Sequence, residues 1–263
     1  RYPPPMLLRW WKNRRRNRLL ATPPPPAWDG WLRDDVAFYP RLTPDDQRHL
    51  LDLARVFVAE KYFEGRDGLA LTERIELAIA AQACLLLLHL PRHDYYRRVG
   101  SIFVYPDTRR TEVHNGTLGG LQSSAAIAGA ASPGGPIVLC YGAVAAGAHH
   151  HNDGRNVVLH EFAHALDFND HVADGTPELA THDQFTRWVD VMTENYDDLV
   201  HARGRSRRVI DQYGANNPAE FFACATEAFF EKPRAMQRHL PDLYDLLRDY
   251  YHQDPAERER SAA

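Results

Sequence analysis

One segment restricts the folding of this chain more than any other: Asn156-Val157-Val158-Leu159-His160-Glu161-Phe162-Ala163-His164-Ala165-Leu166-Asp167. As a helix it is apolar over most of its circumference and has to be buried. It nevertheless carries two histidines and an acid, and burying polar groups without partners is costly. The spacing resolves the conflict. Residues i and i+4 share one helix face, so the imidazoles of His160 and His164 can converge on one metal ion, and the His-Glu-x-x-His pattern points to zinc. Glu161 can reach the remaining coordination position, where a water needs a general base. The competing reading is a helix with two satisfied core histidines and a surface glutamate, which the apolar flanks disfavour.

A catalytic zinc site needs a third protein ligand and an open position. In the metzincin pattern a glycine and then a further ligand follow the second histidine; here those positions hold Asp167 and Asp170, with His171 next, so the glycine is missing. A stronger candidate is Glu220, 56 residues beyond His164 in Asn217-Pro218-Ala219-Glu220-Phe221-Phe222-Ala223-Cys224-Ala225-Thr226-Glu227, a spacing that suits a glutamate carried in on a separate helix. The same glutamate sits three residues after a candidate N-cap, Asn217, and could merely close a capping box. Glu227, two turns further on the same face, is the next choice, as ligand or as a support behind a histidine. Cys224 shares that face and reads as packing.

The rest of the chain indicates an α+β arrangement. Thr43 with Pro44, Asp45 and Asp46 reads as a helix start, with an apolar stripe from Leu50 to Val58; a second helix starts at Thr72 and stops before Pro91. Ser101–Tyr105 and Ile137–Tyr141 read as short strands, and the Gly/Ala/Ser run from Gly116 to Gly135 as loops with at most one weak strand. Further helices are expected at 155–168, 183–201, 218–231 and 241–252. Residues 1–40, with Pro3–Pro5, Pro23–Pro26 and six basic residues between Arg9 and Arg18, read as a basic, proline-rich tail and linker. Residues 41–255 then form one catalytic domain and 256–263 a disordered tail. The 44% hydrophobic and 25% charged content of the 263 residues excludes disorder throughout, and a net charge of −4 gives no case for nucleic acid as the main partner. The three cysteines, Cys84, Cys140 and Cys224, form no CxxC pair and read as buried thiols. No stretch approaches the roughly 20 apolar residues of a membrane span. Neither does the N-terminal region read as a signal peptide, so a cytoplasmic location is expected. His149-His150-His151 reads as a solvated loop rather than a second metal site.

His160-Glu161-Phe162-Ala163-His164-Ala165-Leu166-Asp167, Tyr213-Gly214-Ala215-Asn216-Asn217-Pro218-Ala219-Glu220 and Glu227-Ala228-Phe229-Phe230 together resemble the zinc peptidases of the Mlc titration factor A family. Gly135-Pro136-Ile137-Val138-Leu139 and Asp254-Pro255 add to the likeness, which spans residues 28 to 255. The resemblance implies one Zn2+ held by His160, His164 and Glu220, with Glu161 as catalytic acid/base and Tyr213 stabilising the oxyanion. It further implies a peptide substrate, aminopeptidase action, a part in regulating sugar uptake, and binding to the Mlc transcriptional repressor. The implied fold is a zincin similar to the catalytic domain of anthrax lethal factor, with the active-site helix beneath a small mixed sheet. In such a fold Ile137–Cys140 is the candidate edge strand for an extended substrate. Two other readings stand beside this one: a regulator that sequesters a repressor around a structural or latent zinc site, and a metal hydrolase of non-peptide amides.

Overall fold

A computed structural model describes residues 5–91, 93–106, 129–131, 135–170, 172–201, 204 and 206–261. In chain order the elements are α1 (Pro5–Leu20), α2 (Ala27–Asp35), α3 (Pro44–Glu60), β1 (Tyr62–Gly65), α4 (Glu73–Leu85), β2 (Ser101–Tyr105), β3 (Gly129–Ala131), β4 (Ile137–Cys140), α5 (Tyr141–His149), α6 (Val157–Asp167), α7 (His182–Val200), α8 (Pro218–Glu231), α9 (Pro233–His239), α10 (Pro241–Tyr251) and α11 (Pro255–Ser261). This is the expected α+β class, mostly helical with one small mixed sheet.

Local chemistry accounts for the helix starts. The Thr43 side chain accepts from the Asp46 N–H, with Pro44 in the first turn of α3. Thr72 caps α4 through the Ile75 N–H, and Asn156 caps α6 through Val158 and Leu159. Thr181 and Gln184 close a reciprocal capping box on α7. The sheet runs β1-β2-β4-β3; the first three strands are parallel and β3 is antiparallel to β4. Ile102, Val104, Ile137 and Leu139 alternate inward and are buried. The core continues between α6 and α3, where the Phe162 ring lies 5.4 Å from Phe57 and 4.7 Å from Tyr96. Below α8, Trp188 packs on Phe222 and Tyr250 at 5.5 and 5.3 Å.

Several expectations differ from the structure. Ile137–Cys140 is not an edge strand: β4 is paired on both sides, and β3 lies outside it. Of the Gly116 to Gly135 run, only 129–131, one short strand, and Gly135 are among the described residues. Residues 5–40, read as tail and linker, hold α1 and α2, and Trp28, Leu32, Val36 and Tyr39 are buried in the core. The proline run Pro23–Pro26 connects the two helices. Past residue 255, where a disordered tail was expected, α11 continues the fold with Ala256 fully buried. β1 and α5 were not anticipated. All three cysteines are buried and none forms a disulfide. Among the described residues no helix is long and apolar enough to cross a membrane.

Leu32 is 1% exposed within this core. Leu32→Ala should therefore destabilise the protein by about 2–5 kcal/mol, measured by urea unfolding. An unchanged midpoint would show that α2 is dispensable to the fold.

Candidate metal centre

Two helices build the site. α6 presents His160 and His164 one turn apart, and α8 carries Glu220 at its N-terminus. The Asn217 side chain accepts from the Glu220 N–H at 2.9 Å, so the expected N-cap is present. The Glu220 carboxylate does not turn back to complete a capping box. It lies against the imidazoles, with Oε2 3.0 Å from His160 Nε2 and 3.4 Å from His164 Nε2. The two Nε2 atoms are themselves 3.2 Å apart.

These distances test whether the residues fit a metal. With bonds of about 2.0–2.1 Å, neighbouring ligand atoms of a tetrahedral zinc lie about 3.3 Å apart. The His160–His164–Glu220 triangle, with edges of 3.0, 3.2 and 3.4 Å, matches one face of such a tetrahedron. Glu227 Oε1 sits 2.7 Å from His160 Nδ1 and can accept its N–H, which makes Nε2 the ring atom that would ligate once its proton gives way to a metal. Burial opposes ionisation of Glu220, but hydrogen bonds from His160 and His164 more than offset it and hold the carboxyl down at about 2. At His160 burial likewise opposes charge, and contacts with Cys224, Glu220 and Glu227 outweigh it, raising the imidazole well above its ordinary value. A site this anionic favours a cation.

Glu161 is 4% exposed, and its Oε2 has no hydrogen-bond partner among the described residues. Burial pushes this carboxyl up to about 7, with partial relief from His160 and His164. Tyr213 belongs to the 3-10 turn Gln212–Ala215, which Asp211 caps by accepting the Tyr213 N–H at 2.9 Å. Gly214 lets that turn lie directly on α8, where an added Cβ would sit 3.3 Å from the Phe221 Cα. The Tyr213 ring stands 6.0 Å from the His160 ring and is 40% exposed. Burial first, and Glu220 second, raise its hydroxyl above the usual phenol range.

Other candidates fall elsewhere. Asp167 is fully buried and accepts from the Gly175 N–H at 2.9 Å, anchoring the loop that follows α6. Gly175 has φ +81°, and a Cβ there would meet the Pro218 carbonyl at 2.4 Å, so this loop passes hard against the start of α8. His171 and the Asp170 side chain lie outside the described residues. His149, His150 and His151 are not brought together into a metal-binding group among the described residues. Cys224 is buried beside His160 and Glu227.

Sequence reading missed two contributors. Glu231 is 3% exposed, and its Oε2 accepts the Gly154 and Arg155 N–H groups, each at 3.0 Å, while Glu227 Oε2 takes the Asn156 N–H at 2.5 Å. The backbone entering α6 is thus held by two carboxylates of α8. Asn156 in turn donates to Gln82 and to the Gly147 carbonyl at 3.0 and 3.1 Å, fixing α6 against α4 and α5. The helical spacing of Glu231 from Glu227 was the available signal for the first, and N-cap chemistry for the second.

Fold and site together define an α+β metallopeptidase-like domain with two histidines and a glutamate grouped as candidate metal ligands. The chain belongs to the family described as glucose-regulated metallo-peptidase M90, which matches residues 8–252. It is 35% identical over 232 residues to the uncharacterized protein slr2042 of Synechocystis sp., covering 87% of this chain and 84% of that one. It is 29% identical over 244 residues to Mlc titration factor A of Salmonella gallinarum, with 89% and 91% covered, and 28% identical over 239 residues to that of Salmonella arizonae, with 88% and 94% covered. The family is one of metallo-peptidases, and its chemistry requires a metal.

Glu227→Ala removes the acceptor behind His160, and metal affinity should fall about 10–100-fold, as measured by competition with a chromogenic chelator. Glu231 gives a separate pH signature. Burial raises its carboxyl from 4.5 to about 8. The folded state therefore holds the proton more tightly, and stability is lost as pH rises through this interval. The stability of Glu231→Gln relative to the native sequence should rise from about pH 5 to about pH 8, by at most ~1.4 kcal/mol per pH unit. Urea unfolding at both pH values reads this directly, and a pH-independent difference would contradict it.

Proposed function

We propose that this protein is a zinc-dependent peptidase in which His160, His164 and Glu220 hold the metal and Glu161 is the general base. The carrying observation is the triangle of two Nε2 atoms and one carboxylate oxygen, with a buried carboxylate that lacks a partner next to it in the chain. Bound zinc would supply Lewis-acid polarisation of the scissile carbonyl and a water of lowered pKa. Glu161 takes the proton from the attacking water and returns it to the leaving amine. The Tyr213 hydroxyl donates a hydrogen bond to the oxyanion that develops on the carbonyl. Glu227 keeps His160 in the tautomer that ligates. In this reading the substrate is a peptide, cleavage is aminopeptidase-like, and the activity serves regulation of sugar uptake in the cytoplasm.

The printed name of the Salmonella relatives favours a second reading: a partner resembling the Mlc repressor is sequestered, with the zinc site structural or latent. Hydrolysis of free amino-acid anilides and of N-terminally blocked peptides separates the possibilities. Glu161→Gln should keep full zinc content while kcat falls about 10²–10⁴-fold, and Tyr213→Phe should lose about 10²–10³ in kcat. His160→Ala should lose both metal and turnover. Zinc-bound Glu161→Gln with native activity would falsify the mechanism. If the native protein with zinc bound cleaves nothing, yet captures a repressor after chelation as well as before, the sequestering reading stands. Cleavage of blocked peptides alone would replace aminopeptidase by endopeptidase action.

A further inference from the structure

Charge is distributed unevenly in this chain. Residues 1–28 contain seven basic side chains (Arg1, Arg9, Lys12, Arg14, Arg15, Arg16 and Arg18) and no acid, although the whole chain carries −4. Within α1 only part of this charge is used to hold the helix in place. Arg16 forms a two-point ion pair with Glu60 of α3, at 2.7 Å on both arms, and its guanidinium lies 4.1 Å over the Tyr95 ring. Arg55 of α3, itself 5% exposed, donates to the carbonyls of Leu19 and Thr22 at 2.5 and 2.6 Å. The C-terminal end of α1 is therefore seated firmly on α3. Lys12, Arg14, Arg15 and Arg18 remain exposed, together with Trp10 and Trp11, which are 50% and 61% exposed. The two indoles meet edge to face at 5.3 Å, and the Arg14 guanidinium lies 5.2 Å from the Trp10 ring.

Two large aromatic side chains left in water need an explanation, because their transfer out of water is favourable. We propose that α1 is a peripheral anchor that seats this protein on a membrane surface rich in anionic lipid. Indoles settle at the boundary between headgroups and acyl chains, and arginine forks bind lipid phosphates. The sequence before the tryptophans, Met6-Leu7-Leu8, is apolar, so the helix is apolar toward its start and basic along the remainder. Apolar insertion at one end and basic charge along the rest are two signals that reinforce each other at an anionic bilayer. Single-stranded nucleic acid fits less well: it is bound by a basic groove with aromatic rings spaced for successive bases, whereas here the rings are edge to face on one convex helix. The inference is independent of the peptidase reading.

The test is co-sedimentation of the purified protein with vesicles of phosphatidylcholine alone and of an equal mixture of phosphatidylcholine and phosphatidylglycerol. The native protein should pellet with the mixed vesicles only, and high salt should release it. At roughly fivefold per basic residue, Arg14→Gln/Arg15→Gln/Arg18→Gln should bind about 100-fold more weakly. Trp10→Ser/Trp11→Ser should also bind more weakly and lose the blue shift of tryptophan emission that accompanies binding. Both variants change exposed side chains and should keep the native Tm, which is measured alongside. No pelleting of the native protein, equal pelleting of native and variant proteins, or preference for a single-stranded oligonucleotide over the mixed vesicles would each overturn the proposal.

Discussion

Three carboxylates on one stripe of α8 hold the molecule together at its functional centre. Glu220, Glu227 and Glu231 are seven and four residues apart, close to whole numbers of helical turns. The helix that carries them is buried on nearly every side, so each acid would be a liability without compensation. Their partners come from α6 and the turn leading into it: Glu231 takes the N–H groups of residues 154 and 155, Glu227 that of Asn156 and Nδ1 of His160, and Glu220 faces the two Nε2 atoms. Packing of α6 on α8 and assembly of the metal centre are the same interaction. Neither helix can slide without unpairing buried acids.

This coupling sets what the surroundings have to do. Asn156 passes the constraint to α4 and α5 through Gln82 and Gly147, and Phe162 passes it to α3 through Phe57. On the other side Asp167 and Trp188 both bond to Gly175, through its N–H and its carbonyl, pinning the loop after α6 against the start of α8. The side of the site that carries the candidate ligands is therefore preorganised. Tyr213 is held differently. Its turn is fixed by Asp211 and by the close seat of Gly214, but the ring is 40% exposed.

Much of this was legible in the sequence, where a single local rule decided the outcome. Thr43 and Thr72 cap their helices, Pro218 opens α8, and the apolar period of α3 and α6 matches their buried faces. His160, His164 and Glu220 come together because an i,i+4 pair leaves little choice of face, and because a core glutamate needs a partner. What escaped depended on the tertiary fold. The proline run masked the Trp28, Trp31 and Leu32 spacing of α2, a short helix that is stable only because the core covers it. β1, Tyr-Phe-Glu-Gly, has no alternation to read, and its strand state comes from pairing with β2. The place of β4 between two neighbours is set by β3, whose sequence Gly129-Ala130-Ala131 has little strand propensity of its own. The helical spacing of Glu231 from Glu227 was a signal, but it did not assign a role, because the partners of Glu231 are backbone N–H groups, which every sequence has.

The balance between an enzyme and a purely structural metal turns on Glu161. A structural zinc site is closed, with four protein ligands and no need of a further acid. Here three side chains form a triangle, and a further acidic side chain, Glu161, is buried on the same helix as the two histidines, with one oxygen unpaired among the described residues and its carboxyl pushed up to about 7. Folding gains nothing from that arrangement, since an apolar residue at the same position would avoid the desolvation that raises the carboxyl. Glutamine at position 161 would keep the shape and remove the ionisable group. A buried carboxylate with an oxygen unpaired among the described residues, on the helix that carries two candidate ligands, is costly to stability, and unexplained cost of this kind concentrates where chemistry is done.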